Sequence, residues 1–313
     1  MLPHRRLGSS VLDVSVLSLG SWRTYEVIPR EQSLAVLHAA REAGITFLDD
    51  ARYNDETGTA PMKTGWSEVL FGELLRKAGW PRNEVVIANK LWWEFWPEQS
   101  AADELDGSLE RMGFDVIDLA YSESLPEGLE LADAVEQIGG LIASGKLRAW
   151  GVLNWDAGEI AEAARIASEK GLPPPCAAQL RYSLVDREWV DDPGRRAAME
   201  AARVSVVASA TLTGGALSGK YRDPTAHGRL KDQLDDPRLR AALAAAAPLA
   251  DLAERLETTP AALAYAFALA DSSVASVLFG ATQPEQIAQN VAAVELVERL
   301  EADELAELRR IGL

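Results

Sequence analysis

Eight short apolar runs recur along the chain, each closed by a small or polar residue and followed by a stretch with helical spacing. They lie at 14–20, 45–50, 84–90, 115–122, 147–154, 176–183, 204–212 and 274–281. Rich in Val, Ile and Leu and without polar alternation, they read as parallel strands buried on both faces. Amphipathic segments near 30–43, 67–78, 100–112, 130–144, 156–170, 193–202 and 237–256 separate them. Two further helices are predicted near 284–294 and 302–311, and "PHRRLGSSVL" (3–12) predicts a hairpin that turns near Gly8 to Ser10. Strand–helix alternation without a Pro/Gly/Ser-rich linker predicts an α/β fold. It is a (β/α)8 TIM barrel with an N-terminal β-hairpin and C-terminal extra helices, spanning 1–313 as one domain.

Composition narrows the classes of function. A chain of 313 residues with 48% apolar content can fill one large core. Its 31 Lys and Arg against 48 Asp and Glu leave a net charge of −17, and no basic run interrupts the acidity. Nucleic acid and anionic membranes are therefore poor partners. Cys176 stands alone, so no intramolecular disulfide or cysteine metal cluster can form, which suits a reducing cytoplasm. "MLPHRRLGSSVLDV" lacks an apolar stretch of signal-peptide length, and no later run reaches membrane-spanning length. A cytoplasmic protein is expected.

In a closed barrel the carboxyl ends of all strands share one face, where active sites form. "ITFLDDARYN" ends on Asp49, Asp50 and Tyr53, "VVIANK" on Lys90 and "VIDLAYSE" on Glu123. A phenol titrates near 10. A neighbouring ammonium lowers that value, and a carboxylate can hold the ammonium in place. Tyr53 is thus the candidate acid, with Lys90 and Asp49 to tune it. The alternative makes Asp49 a helix cap and Lys90 half of a structural ion pair. "LWWEFW" (91–96) follows Lys90, so Trp92, Trp93, Phe95 or Trp96 are expected to wall an apolar pocket that Trp22 and Tyr25 complete. The competing reading is that these aromatics anchor their loop to the core. Arg181 is expected in a rim salt bridge and Cys176 in the core. His4 and His227 fall at a terminus and in a loop. With no His beside the carboxylates, no metal site is expected.

These segments carry a resemblance. "HRRLGSSVLDVSVLSLGSW", "GITFLDDARYN", "EVVIANK", "IDLAYSE", "GKLRAWGVLNW", "AAQLRYSLVDRE", "GGALSGKY" and "FGATQPEQIAQN" resemble, in order, the signature segments of the aldo-keto reductases over 4–294. The nearest branch holds the β subunits of voltage-gated potassium channels and many bacterial reductases. The resemblance implies a barrel that binds NADPH/NADP+ without a Rossmann fingerprint, and no G-x-G-x-x-G opens a helix after a strand here. It implies hydride transfer to a C=O, C=C or C=N bond of a small, partly apolar carbonyl, enone or imine. An NADPH-binding channel-type subunit with vestigial catalysis, or a barrel isomerase, are the alternatives. No coiled-coil heptads specify an assembly.

By position, the family's Asp, Tyr, Lys and His fall on Asp49, Tyr53, Lys90 and Glu123. The Asp-to-Tyr spacing is one residue short, so the loop must re-aim the tyrosine. Glu replaces His, as in the branch that reduces a C=C bond conjugated to a ketone. To donate a hydrogen bond this Glu must be protonated, which needs a dry pocket; otherwise it pairs with Lys90. The resemblance places the cofactor against Gly20, Ser21 and Trp22, with Asn154 and Gln179 on the nicotinamide carboxamide. Lys220 and Arg229 fall at the pyrophosphate and 2′-phosphate, and Gly280, Thr282, Gln286 and Asn290 at the adenosine end. Gln283 stands where many relatives have a basic residue, and Ser209 where an aromatic usually stacks on the nicotinamide.

Overall fold

The computed structural model describes residues 2–223, 225 and 228–312, so His227 lies outside the described residues. Eight strands close into a parallel barrel: β3 (Leu17–Gly20), β4 (Phe47–Asp49), β5 (Val86–Leu91), β6 (Ile117–Ser122), β7 (Leu147–Leu153), β8 (Ala177–Arg181), β9 (Ser205–Ser209) and β10 (Val274–Phe279). The expected barrel is present. Before it, β1 (His4–Arg6) and β2 (Asp13–Ser15) pair antiparallel. The apolar run at 14–20 is therefore two elements: its first residues complete the hairpin, and only those from Leu17 onward enter the barrel.

Helices α1 (Arg30–Glu42), α2 (Trp66–Lys77), α3 (Ala101–Met112), α4 (Leu131–Ala143), α5 (Ala157–Lys170), α6 (Glu188–Asp191), α7 (Pro193–Ala202) and α8 (Arg240–Arg255) follow successive strands. After them come α9 (Pro260–Leu269), α10 (Pro284–Arg299) and α11 (Ala302–Arg310). Polar side chains close several ends. Ser100 with Asp103 and Asp156 with Glu159 form capping boxes on α3 and α5, and Gly113 and Gly171 terminate those helices in left-handed geometry.

Strand residues sort by alternation. Phe47, Ala88, Leu119 and Tyr121 point into the barrel, while Leu48, Ile87 and Ala120 pack outward beneath the helices. Leu7, Leu12 and Val14 of the hairpin join the interior cluster and stopper the barrel's amino end. Arg5 extends this closure by donating to the carbonyls of Leu269 (3.4 Å) and Val274 (2.5 Å). The functional side chains are left at the opposite, carboxyl-end mouth.

Candidate active site

Strand register brings the candidate proton-transfer residues together. Asp49 ends β4 opposite Ala88, and Lys90 lies on the neighbouring β5. Lys90 Nζ donates to Asp49 Oδ1 at 2.6 Å and to the Tyr53 hydroxyl at 3.1 Å. Asp49 Oδ2 accepts from Gln179 Nε2 at 2.9 Å. Asp49, Lys90 and Gln179 are all buried. The shortened Asp49–Tyr53 loop is aimed by the start of α2, where Ser67 Oγ accepts from the Tyr53 N–H and donates to the Ala51 carbonyl.

The electrostatics correct one expectation. Burial pushes the Tyr53 phenol above its ordinary range; Lys90 pulls it down, but Asp49 and Asp50 add to the rise and the net shift is upward. Tyr53 therefore keeps its proton at neutral pH. Burial alone would lower the Lys90 ammonium, yet Asp49 and Tyr53 outweigh it and hold the charge.

Glu123 departs furthest from expectation. Its carboxyl is partly exposed, not in a dry pocket, and Oε1 accepts from the Ser124 N–H (3.3 Å) and hydroxyl (3.4 Å). The pairing with Lys90 does not form either, since that ammonium is engaged by Asp49. The backbone N–H of Glu123 donates to the Leu91 carbonyl, continuing the β5–β6 ladder. Strand alternation from inward Lys90 and Tyr121 then sets Trp92 and Glu123 side by side on the inner rim.

Arg52 and Glu104 were missed by sequence reasoning. Arg52, between Asp49 and Tyr53 in the sequence, is buried. Its Nη2 lies 3.0 Å from Glu94 and 3.5 Å from Glu104, and its guanidinium sits 4.9 Å from the Phe95 ring. Glu104, 6% exposed on α3, accepts the backbone N–H groups of Trp92 (2.9 Å) and Trp93 (3.0 Å). One carboxylate thus ties the aromatic loop to the tyrosine loop. The available signal was a Glu within the apolar stripe of a helix, at Ala101, Glu104, Leu105 and Ser108.

A cleft of about 450 Å³ opens above Tyr53, lined by Trp22, Arg52, Asn54, Glu56, Trp92 and Glu94. The Tyr53 ring centre is 6.4 Å from Trp22 and 6.1 Å from Trp92. Of the six aromatics expected around it, only Trp22 and Trp92 line the cleft. Trp93 is 2% exposed and donates its indole N–H to Ser122, Trp96 packs edge-on against Trp93, and Tyr25 lies in the core. Phe95 lies against Arg52 outside the cleft lining. Loop anchoring accounts for Trp93 and Trp96. Trp93 has a left-handed φ of 57°, a conformation costly for a bulky residue unless its surroundings dictate it; Glu104 and Ser122 do so.

Asp50 is fully buried beside this cluster. Ser21 Oγ donates to its Oδ1, while its Oδ2 has no partner. Burial first, then the Glu68 charge, raise its carboxyl well above the usual carboxylate range. In the folded state the group binds a proton that the unfolded chain releases, so stability declines as pH rises above the unfolded value. The slope approaches about 1.4 kcal/mol per pH unit until the folded group ionises. Asp50→Asn, which cannot ionise, is expected to flatten that decline and to raise the urea midpoint more at pH 8 than at pH 4. Equal shifts at both pH values would rule this out.

The cofactor positions meet a test of fit. Asn154, at φ 58° after β7, has a buried Oδ1 without a partner, and Gln179 commits its N–H to Asp49 while its carbonyl stays available. Two open acceptors suit a primary amide. Lys220 folds over Gly215 and Gly228; a Cβ at Gly228 would come within 2.5 Å of its Nζ, so the glycine keeps that cradle open. Arg229 donates to the Trp22 carbonyl at 3.0 Å and stacks over its indole, joining its own loop to the cleft wall. Gly20 ends β3, Ser21 is committed to Asp50, and Ser209 ends β9 with its hydroxyl on the Leu180 carbonyl. Gly280 follows β10. Gln286 Oε1 caps α10 by accepting the Thr282 and Gln283 N–H groups, and Asn290 is buried on the same helix.

Elsewhere, Arg181 forms the expected rim bridge to Asp186 at 2.7 Å. Burial pushes the Cys176 thiol up to about 12. Among the described residues no three His, Cys, Asp or Glu side chains gather where they could hold a metal.

The fold is an eight-stranded parallel barrel whose carboxyl end holds an Asp–Lys–Tyr cluster. The profile of the Aldo/keto reductase family matches residues 16–312, and the chain belongs to that family. It is 29% identical, over 329 aligned positions, to the "Putative voltage-gated potassium channel subunit beta" of Schizosaccharomyces pombe (strain 972 / ATCC 24843). That alignment covers 99% of this chain and 93% of that protein.

Proposed function

We propose that the protein is an NADPH-dependent reductase of small, partly apolar molecules, acting on a C=O, C=C or C=N bond. The observation that carries this reading is Lys90 Nζ held between the Asp49 carboxylate and the Tyr53 hydroxyl. NADPH would supply hydride at its nicotinamide C4. Asn154 and Gln179 would hold the carboxamide, Lys220 and Arg229 the phosphates, and Gly280, Thr282 and Asn290 the adenosine end. Tyr53 would give its proton to a neutral acceptor as negative charge builds on it, with Lys90 steadying the phenolate left behind. Trp22 and Trp92 would wall the substrate. In this reading residues 1–313 form one cytoplasmic barrel domain without nucleic acid or membrane partners; no helix among the described residues is long and apolar enough to cross a membrane.

A second reading, an NADPH-binding subunit with vestigial catalysis, is favoured by the relative's name and by Ser209 at the position of the nicotinamide stack. Titration with NADPH, followed by tryptophan fluorescence, tests what the two readings share. Strong quenching is expected, with affinity about tenfold weaker in Asn154→Ala, the worth of one buried hydrogen bond. No quenching would refute both. Oxidation of NADPH by a panel of ketones, enones and imines then separates them, since the vestigial subunit would oxidise none.

A further inference from the structure

The fourth position of the catalytic cluster lacks the N–H donor that an imidazole would offer there. Glu123 stands on the inner rim in register with the cleft-wall residue Trp92, just outside the cleft lining and partly exposed, with Oε1 already serving as an acceptor for Ser124. A carboxylate accepts and does not donate. It would repel the oxyanion that forms when hydride adds to a ketone, and would attract a group that arrives positively charged. We infer that the acceptor this cleft selects is a cationic C=N group, an iminium ion or protonated cyclic imine, with Glu123 as its counter-ion; the inference rests on the hydride-transfer reading above.

Three features of the cleft agree. The rings of Trp22, Tyr53 and Trp92 form three walls, with Tyr53 6.4 Å and 6.1 Å from the two indoles. Cations already sit over two of these rings, Arg23 and Arg229 at Trp22 and Lys90 at Tyr53, whereas none of the described cations lies over Trp92, whose π face is left to attract an organic cation. Among the charges around them, Lys90 is matched by Asp49, Arg23 by Glu56, and Arg52 by both Glu94 and Glu104. Arg229 lies against Trp22. The Arg52 cluster carries one negative charge beyond balance, which the Arg229 guanidinium offsets, so the surplus charge is that of Glu123, which has no cationic partner among the described residues. The chain's net charge of −17 draws cations toward the molecule as a whole.

The chemistry balances without a donor at the fourth position. Hydride passes from the dihydronicotinamide C4 to the C=N carbon, and the π electron pair moves to nitrogen. The iminium charge is cancelled, and the products are a neutral amine and NADP+. No proton is consumed in that step. Glu123 holds the substrate in its protonated, reactive form, and Tyr53 matters less than it does for a ketone.

The test compares three acceptors of one ring skeleton with NADPH at pH 7: dihydroisoquinoline, N-methyl-dihydroisoquinolinium and tetralone. Both nitrogen compounds are expected to exceed the ketone in kcat/KM by about a hundredfold, a preference of the size that a desolvated cation–π and ion contact supports. Glu123→Gln is expected to reduce that preference about tenfold or more, with the NADPH affinity read by fluorescence unchanged. Tyr53→Phe is expected to cost tetralone more than the iminium salt. A ketone reduced as well as the iminium, or a preference that Glu123→Gln leaves intact, overturns the inference while the reductase reading stands. If NADPH binds and none of the three is reduced while an enone is, the inference falls and the reductase reading stands; if the enone is not reduced either, both fall.

Discussion

Tyr53→Phe is expected to lower kcat for a neutral carbonyl acceptor by about 10²–10⁴-fold, the usual worth of a positioned general acid. The substitution keeps the ring that meets Trp22 and Trp92 and removes only the hydroxyl 3.1 Å from Lys90. NADPH affinity should consequently change little, and the loss should appear in kcat more than in KM. Single-turnover oxidation of NADPH measures it. The pH profile carries a second signature. Because burial raises the Tyr53 phenol despite Lys90, the donor stays protonated throughout the neutral range. Wild-type kcat should then show no alkaline decline until well into the range where phenols ionise. A decline centred near neutrality would mean that another group supplies the proton.

Lys90→Met is the substitution with the largest expected cost to stability, about 3–5 kcal/mol, because it strands a buried carboxylate. Asp49 would keep only the Gln179 amide as a side-chain partner. Asp49→Asn in the same chain should recover most of the loss by removing the uncompensated charge. Urea unfolding of the two single variants and the double variant gives the coupling directly. Additive losses would show that the pair is not coupled. The sign with pH is definite: the folded-state pKa of Lys90 lies above its ordinary value, so the pair contributes fully below that value. It weakens only as strongly alkaline conditions remove the proton.

How far the molecule could be read from its residues follows from the physics of each part. The barrel strands were legible because parallel strands buried on both faces must be continuous apolar runs. The Asp49–Tyr53–Lys90 cluster was legible because strand ends converge by topology, whatever their loops do. Helix α9 was not foreseen. Every residue from Ala262 to Leu269 is buried, and a helix apolar all round shows no amphipathic period. The break at Val16 was hidden because the hairpin and the first barrel strand are both buried and merge into one run. Glu123 does follow the end of β6, but its exposure depends on how its neighbours pack beside it, and no local pattern encodes that. The roles of Arg52 and Glu104 needed the structure for a similar reason: they join residues far apart in the chain.

The stopper at the amino end has a consequence for how the chain acquires its shape. Leu17 pairs with Val277, and Arg5 reaches carbonyls at 269 and 274, 264 and 269 residues further along the chain, so the seam joins segments far apart in sequence. Until β10 has left the ribosome, β3 and β9 remain open edges of an unfinished sheet. Contacts of such long sequence separation are gained only after a large loss of chain entropy. The closing event must therefore come late, and in one step it supplies the last strand, seals both edges and seats the hairpin.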